Sequence, residues 1–169
     1  NAYSKLELPE TPLLLMEFHG SEAGVAEQAE MFSSIAEEFG GFDTATTTST
    51  EERNKLWQAR HDMYWACMQI RPGAKGISTD VCVPISRLAE CVGAAQEKAD
   101  ALGLIAPIVG HVGDGNFHAL LLIDMDNAEE RARADDYVAW LNQLAISMDG
   151  TCTGEHGIGQ GKRPYLKVE

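Results

Sequence analysis

At 169 residues with an ordinary apolar fraction of 44%, the chain can bury one core or a small two-layer unit and has no room for a second complete domain. A formal net charge of −13, from 13 basic against 26 acidic residues, excludes a nucleic-acid surface, because phosphate binding draws on clustered Lys and Arg. No apolar run approaches the length of a membrane span, and no signal peptide is evident. Cys67, Cys82, Cys91 and Cys152 lie far apart without Cys-x-x-Cys spacing, so buried free thiols in a reducing compartment, the cytoplasm, are expected. The chain opens on Asn1 and stops at Glu169 within what reads as a helix, so a fragment of a longer protein is expected.

In chain order, residues 12–20 read as a strand. Residues 21–39 read as an amphipathic helix with Val25, Ala29, Phe32, Ile35, Ala36 and Phe39 on one face. Ser21 suits its N-cap, Glu22 its first turn, and Gly40-Gly41 its end. Residues 42–48 alternate with β-branched residues as in a second strand. Thr50 is expected to cap a helix, with Leu56, Tyr64, Cys67 and Met68 inward, that ends near Arg71-Pro72-Gly73. Residues 76–83 read as a strand, Pro84 opens a helix through Leu102, and residues 105–109 and 116–124 supply two more strands. Residues 127–148 read as a long helix with Ala132, Tyr137, Trp140, Leu141 and Leu144 available for packing. Strands alternating with helices across short connections favour an α+β fold: an antiparallel sheet with helices packed on one face, in ferredoxin-like alternation. A doubly wound parallel sheet is the alternative.

Two blocks carry the chemistry. His111-Val-Gly-Asp-Gly-Asn-Phe-His118 and Gly154-Glu-His-Gly-Ile-Gly159 each set imidazole or carboxylate beside glycine, the residue that lets a backbone turn tightly or approach a ligand. The turn can fold His111 back over His118. By strand alternation Asn116 and His118 share one face, while Phe117, Ala119 and Leu121 face a core on the other. Two imidazoles and a carboxylate suit zinc, manganese or ferrous iron and leave positions open for substrate. Asp114, in an Asp-Gly pair, is read as shaping the turn.

Together with Leu56-Trp-Gln-Ala-Arg-His61 and Thr79-Asp-Val-Cys-Val-Pro84, these blocks give nearly the whole chain a resemblance to the C-terminal half of FAD-linked 2-hydroxy acid dehydrogenases. That family takes in D-lactate dehydrogenases, glycolate oxidase subunits and D-2-hydroxyglutarate dehydrogenases, with the flavin-binding fold of vanillyl-alcohol oxidase. The resemblance implies that His111, His118 and Glu155 bind a divalent metal (zinc, manganese or iron) and that His156 is the catalytic base. It also implies that Arg60 pairs with the substrate carboxylate through its bidentate fork and that Asn116 is a further polar contact. By the residue patterns alone Arg60 is a solvated helix charge, His19 and His61 are structural, Lys75 and Lys162 are exposed, and Trp57, Trp65 and Trp140 are core or domain contacts.

Such an enzyme removes a proton from the hydroxyl and a hydride from C2 of a small 2-hydroxy acid. A cation eases the deprotonation, an imidazole takes the proton, and FAD takes the hydride. The resemblance therefore implies that residues 1–169 form the substrate- and metal-binding domain of a flavoenzyme of the D-lactate or glycolate type. No glycine-rich pyrophosphate loop is present. FAD is expected to be held by a flavin-binding half outside this sequence, and the family's final C-terminal tail is expected to be missing too, leaving the fragment alone inactive. No nucleic acid or membrane span is expected as a partner, and the electron acceptor and the oligomeric state leave no trace. A metal-dependent hydrolase and a non-catalytic small-acid-binding domain are the alternatives.

Overall fold

The computed structural model describes Tyr3, residues 10–42 and residues 44–169. The chain divides into two units, Asn1–Asp62 and Met63–Glu169.

In the first unit, α1 spans Glu22–Glu38, and Ser21 caps it by accepting the Gly24 N–H at 3.3 Å. The glycines that follow close it, the Gly41 N–H donating to the Ala36 carbonyl at 2.7 Å. The second helix, α2, spans Thr50–His61; its cap is Ser49 and not Thr50, with Ser49 Oγ accepting from the Glu52 N–H. Neither helix buries a residue, and the apolar face expected on α1 leaves Ile35 and Phe39 exposed. The strands expected over residues 12–20 and 42–48 are not formed; Asp43 lies outside the described residues. A strand needs a partner for its N–H and C=O groups, and among the described residues Leu13, Leu14 and Met16 find none and stay half exposed.

The second unit opens with α3 (Met63–Met68), separated from α2 by Asp62, whose carboxylate accepts from Gln58 Nε2 at 3.0 Å. Four strands and two long helices follow: β1 Lys75–Ser78, β2 Val81–Cys82, α4 Ile85–Ala101, β3 Ile108–His111, β4 Asn116–Ile123 and α5 Ala128–Ser147. Among the described residues β1, β2 and β3 all pair with β4 and every pairing is antiparallel, which excludes the doubly wound alternative. β1 and β2 run along one edge of β4 in a single unbroken register, from Lys75 opposite Ile123 to Cys82 opposite Asn116. β3 takes the other edge, from Ile108 opposite Ala119 to His111 opposite Asn116. It begins three residues later than expected because Pro107 has no N–H to give; its carbonyl and that of Ile105 still accept from Leu120 and Leu122. Beyond α5, Thr151 bridges Cys82 on the outer side of β2, so strand and helix alternate as in a ferredoxin-like unit whose last strand is a single residue pair.

All eight residues of β4 are buried. Phe117, Ala119, Leu121 and Ile123 face α4 and α5, whose Cys91, Ala95, Ala99, Leu141 and Ala145 complete that core. Small residues on α4 let the helices approach closely, and Tyr137 inserts between them with its hydroxyl donating to the Ala95 carbonyl at 3.1 Å. Each fully buried Leu or Phe contributes about 1.5–3 kcal/mol here. Trp140 packs at the margin of this core, whereas Trp65 is exposed. On the opposite face α3 covers only one end of the sheet, through Cys67 against Leu120 and Leu122. Asn116 and His118 occupy the other end of that face.

Candidate metal centre

The hairpin between β3 and β4 carries His111 and His118. After His111 the chain makes one 3-10 turn, Val112–Asp114, and Gly115 adopts a left-handed φ of 74°. A side chain there would run into the Val83 carbonyl, while Gly115's own carbonyl accepts the Val83 N–H at 3.0 Å, so only glycine brings the turn this close to β2. Asp114 ends this turn, and its carbonyl receives the Cys82 thiol.

The residues between β1 and β2 fix His118. The Ala119 N–H donates to Thr79 Oγ1 at 2.8 Å in place of the Thr79 carbonyl, which is thereby free to accept from His118 Nδ1 at 2.9 Å. The Thr79 N–H keeps its bond to the Ala119 carbonyl, so the register survives. A carbonyl can only accept, so His118 Nδ1 carries the hydrogen. Its Nε2 then points at Glu155 Oε1, 2.9 Å away. A neutral imidazole lone pair facing a carboxylate oxygen at that distance is repulsive unless a proton or a metal cation lies between them.

Asp80, 1% exposed, organises the loop that bears Glu155. Its carboxylate accepts from Thr153 Oγ1 (3.0 Å) and from the backbone N–H groups of Gly154 (3.0 Å), Glu155 (3.2 Å) and His156 (2.9 Å). Asn116 Nδ2 (2.9 Å) and Lys162 Nζ (3.3 Å) add to these. Burial pushes the Asp80 carboxyl up, but these donors outweigh it and hold the group well below the usual carboxylate range. Gly154 is pressed against Asn116, where a Cβ would come within 2.9 Å of Asp80 Oδ1.

Glu155 lies among three imidazoles. Besides His118, its carboxylate is 3.7 Å from His111 Nε2 and 3.5 Å from His156 Nε2. The His156 ring stacks on His118, with centroids 4.8 Å apart and planes 8° from parallel. His118 is buried, whereas His111, Glu155 and His156 are about half exposed, so the cluster is rooted in the sheet and open on one side. The structure thus brings together His111, His118, Glu155 and His156. Asn116 sits beneath them with both amide hydrogens committed, to Asp80 Oδ1 and the Val81 carbonyl; its buried Oδ1 has no partner among the described residues. Arg60 belongs to the other unit, half buried on α2.

Asp80, Thr79 and Lys162 were not singled out as site residues by sequence reasoning. Lys162, expected to be exposed, is mostly buried and donates to the Asp80 carbonyl at 2.8 Å. Asp80, His118 and His156 also have potential ligand atoms within 4.8 Å of one another. In that grouping, however, both Asp80 oxygens are already occupied by donors and His118 Nδ1, 3.7 Å from Asp80, is spent on Thr79. Glu155, which among the described residues receives no hydrogen bond from a backbone N–H or hydroxyl and has only imidazoles near its carboxylate, is the one with lone pairs to offer.

The chain belongs to the family described as FAD linked oxidases, C-terminal domain, whose model matches residues 1–169. Among curated proteins it is similar to a probable mitochondrial D-lactate dehydrogenase of Danio rerio, 46% identical over 171 residues, covering 100% of this chain and 34% of that protein. A mitochondrial D-lactate dehydrogenase [cytochrome] of Arabidopsis thaliana is 41% identical over 96% of this chain and 29% of its own length. A glycolate oxidase subunit GlcD of Bacillus subtilis (strain 168) is 32% identical over 99% and 36%. The chain spans about a third of the length of these relatives. No helix among the described residues is long and apolar enough to cross a membrane.

Proposed function

We propose that this chain is the substrate- and metal-binding domain of an FAD-dependent dehydrogenase that oxidises a small D-2-hydroxy acid, of the D-lactate or glycolate type, to the 2-oxo acid. The observation that carries the reading is the approach of His118 Nε2 to Glu155 Oε1 at 2.9 Å with Nδ1 already committed to Thr79. His111, His118 and Glu155 are the residues that would hold a divalent ion, and a set of two imidazoles and one carboxylate fits zinc, manganese or iron. Such an ion supplies charge stabilisation as the substrate hydroxyl loses its proton, and FAD, held by the flavin-binding half of the full polypeptide, is the hydride acceptor.

The chain's own residues do the rest. His156 takes the hydroxyl proton at Nε2, which faces the centre; being half exposed, it can pass that proton on to water. Arg60 pairs with the substrate carboxylate and sets C2 for transfer. Asn116 is a further polar contact at the site, its buried Oδ1 having no partner among the described residues. The half-exposed His111, Glu155 and His156 leave the centre accessible to a small acid. Four free thiols suit a reducing compartment, whether the cytoplasm or a mitochondrion as the names of two relatives print. Family membership weighs against a metal-dependent hydrolase and a non-catalytic small-acid-binding domain.

The test is anaerobic titration of the full-length protein with D-lactate and glycolate. A yellow flavin spectrum that bleaches with one of them, and more slowly after chelator treatment, is expected. A colourless protein, or a flavin that no D-2-hydroxy acid reduces, overturns the proposal.

A further inference from the structure

We propose that Asp80 is the positioning residue of this centre: its buried carboxylate, placed opposite His118 by the sheet register, gathers the backbone of residues 154–156 and so presents Glu155 and His156 to His118 before any ligand arrives. The metal arm of this inference rests on the reading of the site given above.

Three successive backbone N–H groups, those of Gly154, Glu155 and His156, converge on one carboxylate at 2.9–3.2 Å. A loop whose amides curl round an anion in this way is a nest, and here the anion is supplied by the protein itself. With the amides turned inward, the side chains of Glu155 and His156 project outward, toward His118. The register that pairs Ser78 with Leu120 and Val81 with Phe117 sets Asp80 across from His118, and the carboxylate lies 3.7 Å from His118 Nδ1. One strand position therefore joins the histidine rooted in the sheet to the loop that brings the other ligands. Lys162 Nζ, bonded to the Asp80 carbonyl and to the carboxylate oxygen that the loop amides share, balances the buried charge. Because every acceptor site of Asp80 is filled by the protein, its part is to hold the loop and not to ligate.

Asp80→Asn in the full-length protein keeps the shape but turns an amide NH2 toward N–H donors. In the chelator-treated, metal-free protein, hydrogen exchange at residues 154–156 is expected to speed up by about tenfold or more, the scale of a lost charge-assisted hydrogen bond, while residues 116–123 keep their protection. The dissociation constant for added Zn2+ is expected to rise by about 10- to 100-fold, as for the loss of a group that orients metal ligands. A residue that only stabilised the fold would loosen β4 as well and leave Zn2+ affinity of the folded protein unchanged. A direct ligand would weaken Zn2+ but leave metal-free exchange at residues 154–156 as in the wild type. Either of those results overturns the proposal. Should Asp80→Asn fail to fold, Thr153→Val removes one of the same bonds; exchange at residues 154–156 and the Zn2+ dissociation constant are then expected to rise by about 2- to 10-fold, and wild-type values of either refute it. The exchange arm needs no substrate, so absence of D-lactate or glycolate oxidation in the wild type would sink the proposed activity and leave this inference standing.

Discussion

Replacing Thr79 by valine tests the hydrogen-bond exchange on which His118 depends. Thr79 is 4% exposed and Ala119 fully buried, so water cannot compensate for the lost Oγ1. The Ala119 N–H, now 2.8 Å from that oxygen, has two choices. It can stay unpaired, at a cost of about 1–3 kcal/mol, or it can take back the Thr79 carbonyl and displace His118 Nδ1. The first choice lowers stability by about 2 kcal/mol, or about 8 °C in Tm for a unit of this size. The second saves part of that but frees the imidazole to turn, weakening metal binding by about tenfold. Thermal unfolding of the full-length variant, followed by Zn2+ titration, distinguishes the two, and a mixture of both effects is expected. A variant that melts within about 1 °C of wild type and binds Zn2+ with unchanged affinity would show that neither bond matters.

The remaining predictions concern the roles of the clustered residues and one remote ion pair. His111→Ala and His118→Ala in the full-length protein are expected to lose bound metal, measured by elemental analysis, whereas His156→Ala is expected to keep metal and lose the proposed flavin reduction; metal retained in both ligand variants refutes the assignment. Arg60→Ala is expected to raise KM for the hydroxy acid by tenfold or more, the scale of a lost charged hydrogen bond; a KM no different from that of a distant surface variant refutes the carboxylate clamp. Arg71 beside Glu130 holds that carboxyl below its ordinary value, with burial opposing. A depressed folded-state value means stability present above the unfolded value of about 4.3 and lost as pH falls through the folded one. The Tm gap between wild type and Glu130→Gln is therefore expected to be largest near neutrality and to shrink below about pH 4; a gap independent of pH refutes the pairing.

What could be read in the sequence was local. The alternation of β4, the Ser21 cap and the glycine-bearing turns all act within a few residues, and the structure places each where the pattern put it. That His111, His118, Glu155 and His156 lie in turn-bearing segments was legible because glycines flank them in each block. The expected strands at residues 12–20 and 42–48 were misread because β-propensity cannot supply a distant ladder partner. Asp80 escaped notice for a related reason. Half of the donors to its carboxylate are backbone N–H groups more than seventy residues away, and main-chain donors leave no mark on composition. Lys162 looked like any surface lysine until its Asp80 contact was seen. The placement of Arg60 at the substrate rests on motif likeness alone, because its helix offers no local sign of a bound acid.

The full burial of β4 ties chemistry to parity. Odd and even positions of this strand belong to different worlds, one packed against α4 and α5, the other carrying Asn116 and His118. Deleting or inserting a single residue within it would drive the imidazole into the helices and turn Leu121 outward, whereas a two-residue change would only shift the strand by one repeat. Between Asn116 and Ile123 the strand can therefore change length only in even steps if His118 is to stay on its face.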